Sequence, residues 1–382
     1  MKMTIKGVHF ATGKSISVTI DEGKISNISG ENNDSPYYIA PGLVDLQING
    51  YHGYDFNTLP FTEDLVTQIT EALWKEGVTS FYPTIITNSD DTIEKAVKTI
   101  ASVCEKNDII GKCIPGIHIE GPFISPEDGP RGAHGKEFVK APDWELFQRW
   151  QEAANGRIKI ITLSPEWPES VEFIEKCVGS GVVVSIGHTA ATPEQIREAV
   201  AAGAKMSTHL GNGAHLMLPR HPNYIWEQLA QDDLWTCLIS DGFHLPESFL
   251  KVAMKVKGQR SMLVSDAVYL SGLAPGHYDT HIGGQVVLTP EGKLHTKDNP
   301  KILAGSAQML KEGISHLYKS GLTSLSEAWE MASIRPSAFT GLPTLEGLRK
   351  NAPADLVVFQ WNENRVKVVQ TYKAGKLVYS VG

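Results

Sequence analysis

The chain has 382 residues, 41% hydrophobic and 20% charged, enough for one large cored domain with an appendage or two to three ordinary ones. Lys and Arg total 35 against 43 Asp and Glu, and the net charge of −8 argues against a sequence-independent grip on nucleic acid. The longest apolar runs, such as Gly181–Ile186, fall far short of the roughly 20 residues that span a bilayer. The stretch from Met1 to Lys6 alternates polar and apolar instead of forming a signal-peptide core. Four cysteines (Cys104, Cys113, Cys177 and Cys237) lack CxxC spacing and suit reduced thiols. The expectation is a soluble, cytoplasmic, globular protein with no nucleic-acid or membrane partner.

In chain order, Met3–Phe10, Ser15–Ile20 and Lys24–Ile28 read as short strands separated by turn residues. Eight largely apolar runs follow: Leu43–Asn49, Thr79–Thr87, Lys112–Glu120, Lys159–Leu163, Gly181–His188, Lys205–Leu210, Leu234–Asp241 and Ser261–Ala267. This is the texture of parallel strands covered on both faces. Amphipathic helices separate most of them. Thr62–Glu76 carries Leu65, Ile69 and Leu73 at helical spacing, and Asp91–Glu105 carries Ile93, Val97 and Ile100. Thr192-Pro193 starts a further helix and Gly203 ends it. The last thirty residues return to strands at Ala354–Gln360, Val366–Tyr372 and Lys376–Ser380. The two terminal clusters are expected to pair into one small β domain. The middle predicts a closed (β/α)8 barrel, with a doubly wound open sheet as the alternative.

Polar residues gather at the ends of the predicted strands: Glu120, His188, His209, Asp241 with His244, and Asp266. In a parallel barrel those ends converge on one face, where active sites are built. Any one of them alone has a bland reading as a hydrogen-bonded structural residue. Burying all of them together without a compensating ion is costly. Glu120, His188 and His209 form a one-carboxylate, two-imidazole set, a three-ligand zinc pattern with room for water. Ligand softness alone also allows Fe²⁺, Mn²⁺ or Co²⁺. Asp266 suits a proton acceptor for water activated by such an ion. His134 and His244 are candidates for orienting a carbonyl or hydroxyl. His118 shares a strand face with Glu120 and is assigned to structure. His9, His52, His215, His221, His277, His281, His295 and His316 are read as structural or solvated.

These residues carry a resemblance. The stretches APGLVD from Ala40, GIHIEGPF from Gly116, RGAH ending at His134 and GHTAAT from Gly187 resemble the amidohydrolase superfamily. So do STHLGNGA from Ser207, DGFH from Asp241, LVSDA from Leu263, LAGSAQ from Leu303 and APADLV from Ala352. Within that superfamily the chain is most similar to the N-acetylglucosamine-6-phosphate deacetylases. The resemblance implies a TIM barrel over 41–349 and a small β-sandwich from 1–40 and 350–382. It implies metal ligation by Glu120, His188 and His209, with Asp266 as general base and acid. It places Asn212, Gly213 and Arg220 against a sugar phosphate, the arginine reaching across a homodimer interface. Where many superfamily members carry His-x-His for a second metal, this chain has Gln47-Ile48-Asn49, so one divalent ion is expected, Zn²⁺ first.

The function expected is hydrolysis of the acetamide of an N-acetyl amino sugar, N-acetylglucosamine 6-phosphate first. The phosphate region departs from the family, with Asn212-Gly213-Ala214 and Arg220-His221-Pro222-Asn223 in place of Asn-Ala-Met and Arg-Glu-Pro-Gly. The alternative is therefore a deacylase of another small, unphosphorylated N-acyl compound. A metal-free binding protein on the same fold is the rival from another class. The intact ligand set speaks against it.

Overall fold

The computed structural model describes residues 2–32, 34–280 and 284–381. At its centre lie eight strands: β1 (Leu43–Ile48), β2 (Val78–Ile86), β3 (Ile117–Glu120) and β4 (Ile158–Leu163), then β5 (Val183–Ile186), β6 (Met206–Ser207), β7 (Trp235–Leu238) and β8 (Ser261–Leu263). Each pairs in parallel with the next. The two ends of the sheet meet just beyond β8. Ile48 bridges Ala267 in parallel, and the Asp266 N–H donates to the Gln47 carbonyl at 2.9 Å. The sheet thus rolls into the (β/α)8 barrel that the alternating pattern predicts. Val44, Leu46, Tyr82, Ile160, Met206 and Met262 cluster in its interior.

Local sequence explains the helices. Thr62 caps Glu63–Trp74 by accepting the Leu65 N–H, and the helix buries Val66, Ile69 and Leu73. Ser89 does the same for Asp90–Lys106. Pro193–Ala201 opens with a reciprocal box between Thr192 and Gln195.

Several strands are shorter than their apolar runs. Lys112 and Cys113 belong to the helix Asp108–Cys113, which Asn107 caps through its side chain, so β3 starts only at Ile117. At the other ends, β5, β6 and β8 stop before His188, His209 and Asp266. Those three residues have φ of 49°, 26° and 48°. Left-handed backbone at a non-glycine residue costs about 1–3 kcal/mol and turns the chain out of the ladder. The runs overshoot because their last residues serve the barrel mouth rather than the sheet.

Both termini meet in one seven-stranded sheet. Its order is Lys376–Ser380, Arg365–Lys373, Leu356–Asn362, Tyr37–Pro41, Met3–His9, Ser15–Asp21, Lys24–Gly30. The strand Tyr37–Pro41 joins the halves, parallel to Met3–His9 and antiparallel to Leu356–Asn362. The sheet curls until Lys24 bridges Pro353, enclosing Ile5, Val18, Ile20, Ile25, Ile39 and Leu356. Its other face packs on the barrel. Trp329 stacks on Phe359 at 4.5 Å and donates its indole N–H to the Pro41 carbonyl at 2.9 Å. Lys373 reaches Asp355 at 2.7 Å and Ser80 of β2 at 3.0 Å.

Between β8 and the last barrel helices sits an antiparallel sheet absent from the sequence reading: Gly276–Thr280, Gly284–Leu288 and Leu294–Thr296. It carries its own apolar cluster of Leu270, Val286, Leu288 and Leu294 over the barrel mouth.

Candidate active site

Glu120 ends β3 with its side chain buried, and two imidazoles meet it. Its Oε1 lies 3.2 Å from His188 Nε2 and 3.0 Å from His209 Nε2, and the two Nε2 atoms are 3.0 Å apart. Three donor atoms from three strand ends therefore face one point. Ligands at about 2.0–2.1 Å from a tetrahedral Zn²⁺ stand roughly 3.3 Å apart, close to this spacing. The tautomers fit as well. His188 Nδ1–H donates to the Pro130 carbonyl at 2.8 Å, which leaves the Nε2 lone pair pointing at Glu120 and His209. His209 Nδ1 is buried with no hydrogen-bond partner among the described residues. Burial opposes ionisation of Glu120, but the imidazoles of His188 and His209 beside it outweigh that and hold the carboxyl well below the usual range.

Asp266 flanks this cluster, held from two sides. Its Oδ1 accepts the Asn49 amide at 2.7 Å and the Gln47 amide at 3.1 Å. Gln47 Nε2 also donates to Glu120 Oε1 at 2.8 Å, so one amide group bridges both carboxylates. Desolvation, with Glu120's charge adding to it, pushes the Asp266 carboxyl up to about 6. Below it Asp45 is fully buried, accepts the N–H groups of Gln47 and Ser265, and is pushed up to about 7 by burial.

His134 lies edge-on to His188, ring centroids 4.4 Å apart. Its Nδ1 is 2.8 Å from the Thr87 hydroxyl, which itself donates to the Glu120 carbonyl at 3.4 Å. A donor atom of His134 stands within 4.8 Å of those of Glu120 and His188, making it the neighbour of the tighter Glu120–His188–His209 set. Burial, above all, lowers its pKa to about 3, so the ring is neutral. His244 Nδ1–H donates to Asp241 at 2.7 Å, and Asp241 also takes the N–H groups of Phe243 and His244. Burial opposes the charge on Asp241, but His244 overcomes it and keeps the carboxyl below its ordinary range.

Glu120, His134, His188, His209, His244 and Asp266 line a cavity of about 200 Å³, together with Asn49, Asn212 and Gly213. Asn212 donates to the His209 carbonyl at 3.1 Å. Gly213 has φ of 55°, and a Cβ there would stand 2.6 Å from His188 Nδ1, so the loop lies directly on the His188 ring. Val268, Leu270, Leu294, Leu303 and Ala304 form an apolar wall, Leu294 coming from the antiparallel insert and the others from the segments that flank it. No Lys or Arg lines the cavity among the described residues. Arg220 is the one predicted site residue that the chain does not bring to it. It is exposed, in a loop where Leu216 and Met217 are 93% and 87% exposed. A larger cleft of about 600 Å³, between the helix Leu310–Lys319 and the insert, holds none of the predicted site residues.

His118 is satisfied within the barrel, donating from Nδ1 to the Leu46 carbonyl at 2.9 Å and meeting the Thr162 hydroxyl with Nε2 at 2.7 Å. His215 bonds Tyr224 and Glu127, also outside the cavity. His281 lies outside the described residues. The sequence reading missed Thr87, the bridging by Gln47 and Asn49, and the role of Asp241 as the partner of His244. Only the last left a signal, an Asp three residues before a His in a Gly-containing turn.

The barrel and the buried carboxylate–imidazole cluster at its mouth define an amidohydrolase, and the chain belongs to that family: the Amidohydrolase family model matches residues 38–378. Among curated proteins it is 33% identical to the N-acetylglucosamine-6-phosphate deacetylase of Bacillus subtilis, over 89% of this chain and 88% of the relative. The human enzyme of the same name is 33% identical over 89% of this chain and 83% of its own. Among solved structures, the N-acetylglucosamine-6-phosphate deacetylase of Thermotoga maritima superposes with a TM-score of 0.83 at 26% identity, covering 99% of this chain and all of the other. A Mycobacterium smegmatis deacetylase variant in complex with N-acetyl-D-glucosamine-6-phosphate shares the fold, with a TM-score of 0.86 at 24% identity over 99% of this chain and all of that one.

Proposed function

We propose that the chain hydrolyses the acetamide of N-acetylglucosamine 6-phosphate, giving glucosamine 6-phosphate and acetate. One observation carries this reading: Glu120, His188 and His209 aim three donor atoms at one point beside a clamped Asp266. In this reading those three residues hold one divalent ion per chain, Zn²⁺ by the pattern of the set. Gln47 turns its amide hydrogens to Glu120 and Asp266, and its neutral oxygen is a poor transition-metal ligand beside imidazole, which speaks against a second metal site. A bound ion supplies Lewis acidity toward the acetamide carbonyl and acidifies water. Asp266 takes a proton from the attacking water and returns it to the sugar nitrogen as acetate leaves. The Gln47 and Asn49 amides fix the carboxylate for both transfers. His134, held through Nδ1 by Thr87, offers its other nitrogen to the substrate, and Asp241 orients His244 for the same purpose. Acetate should appear stoichiometrically with amine from this substrate, and metal analysis of the purified protein should give about one ion per chain. Two ions per chain, or no acetate release, would overturn the reading.

The anionic end of the substrate needs a cation, and among the described residues no Lys or Arg lines the cavity. We infer a homodimer in which the exposed loop carrying Leu216, Met217 and Arg220 crosses to the neighbouring cavity, Asn212 and Gly213 completing the phosphate site. The cation-free lining also favours a second reading, an unphosphorylated N-acyl substrate. Comparing kcat/KM for N-acetylglucosamine with and without the 6-phosphate separates them. We further assign catalysis to residues 41–349, a supporting β domain, one curled sheet rather than a two-sheet sandwich, to 1–40 and 350–382, and the whole to the cytoplasm.

A further inference from the structure

The loops that follow β3, β4 and β5 share a hub that the proposed chemistry leaves unused. Glu166, in the loop after β4, accepts the Ser125 hydroxyl at 2.8 Å on one oxygen. Its other oxygen takes the Ser164 hydroxyl and the Ala190 N–H, both at 2.7 Å. Ser125 lies five residues beyond Glu120, and Ala190 two beyond His188. Ser125 also donates its own N–H to the His188 carbonyl at 2.8 Å. The His188 peptide is thus gripped from before and after by groups that Glu166 holds.

That peptide is where the backbone carries strain. His188 has φ of 49°, a conformation that persists at a non-glycine residue only when its surroundings over-determine it. The surroundings here are rich in hydrogen bonds. Besides Glu166 they comprise the Ser164–Thr189 hydroxyl pair at 2.8 Å and the Gln195 amide, which donates to the Glu166 carbonyl at 3.3 Å and so ties in the next helix. A charged acceptor makes the stronger bonds of this kind, and its three donors come from three separate loops.

We propose that Glu166 is a positioning residue for the metal site: it braces the left-handed His188 peptide so that His188 Nε2 stays on the point shared with Glu120 and His209. This rests on the metal-binding reading above. Outer groups that orient a ligand typically change metal affinity about 10–100-fold when removed. Glu166→Ala should lose affinity in that range. Glu166→Gln should restore most of it, because the amide oxygen still accepts the Ala190 N–H and the amide hydrogens can meet the serine hydroxyls. Ser125→Ala, which removes one of the three bonds, should give a smaller loss and serves if the alanine variant does not fold.

The measurement is Zn²⁺ retention in graded chelator buffers, alongside thermal unfolding of the zinc-loaded and metal-free forms. The expected result is weakened zinc binding in Glu166→Ala, with metal-free unfolding close to that of the parent. The proposal is overturned if Glu166→Ala and Ser125→Ala retain zinc as the parent does. It is equally overturned if Glu166→Gln is no better than Glu166→Ala, or if metal-free unfolding falls as far as metal-loaded unfolding. A parent protein that binds no zinc at a stoichiometric level would instead defeat the metal-binding reading itself.

Discussion

His118 and His188 are both buried in one barrel, on strands two apart, and their surroundings differ in kind. Both nitrogens of His118 are used up inside the barrel, one by the Leu46 carbonyl and one by Thr162. Thr162 in turn meets the Thr208 hydroxyl at 2.7 Å, so the layer under the mouth is a closed set of polar partners. His188 has one nitrogen tied to Pro130, and the other faces a carboxylate and a second imidazole. The backbones differ likewise, since His118 lies within the β3 ladder and His188 has left the ladder for positive φ. A buried histidine is structural when the fold satisfies both ends of its ring, and available for chemistry when the fold satisfies one and aims the other.

That contrast can be broken in four ways, in falling order of effect. His188→Ala should abolish metal binding and with it measurable activity, read by elemental analysis and acetate release. Retention of a full complement of metal would remove His188 from the ligand set. Asp266→Asn should keep the metal while lowering kcat by about 10²–10⁴-fold, the usual scale of general acid–base catalysis. Near-normal turnover would move the proton carrier elsewhere, His244 being next in line. Arg220→Ala extends the test to the exposed rim. It should raise KM for the 6-phosphorylated sugar about 10–100-fold, or about 1.4–2.8 kcal/mol, with little change in kcat. An unchanged KM would favour the unphosphorylated substrate. Finally, His118→Leu should leave metal content untouched and cost about 1–3 kcal/mol of stability, measured by denaturant unfolding, because it strands the Leu46 carbonyl. Loss of metal in that variant would erase the distinction between the two layers.

The barrel strands and the residues gathered at its mouth were legible because both leave simple marks. Apolar runs of the right length alternate with amphipathic helices, and the ionisable residues fall at their ends. The failures have physical causes. Hydropathy cannot register that His188, His209 and Asp266 turn to positive φ, so the runs were drawn too long. Lys112 and Cys113 continue the apolar texture of β3 while obeying the helix that Asn107 starts. Tyr37–Pro41 is five residues long and comes straight after Ser35-Pro36, so nothing local separates it from a linker. In the insert, Gly276–Thr280 reads Gly-His-Tyr-Asp-Thr, with no apolar alternation to betray a strand. Its contribution to the cavity wall, through Leu294, is therefore a product of tertiary structure alone. Arg220 is the opposite case. Its position was read from a resemblance, and a single chain leaves it in solvent.

The central strand of the terminal sheet sets an order of events for the growing chain. Tyr37–Pro41 is made early, yet its antiparallel neighbour Leu356–Asn362 emerges more than 300 residues later. Contacts of such long sequence separation are the last that a folding polypeptide closes, because the loop entropy must be overcome before the pairing gives anything back. Until then the strand has only Met3–His9 beside it, through two paired positions, and its other edge is open. Gly42 alone separates it from β1, the strand that carries Gln47 and Asn49. The sheet is thus a latch fastened only once Leu356–Asn362 has been made, and a nascent chain halted before Leu356 should stay protease-sensitive around Tyr37–Pro41.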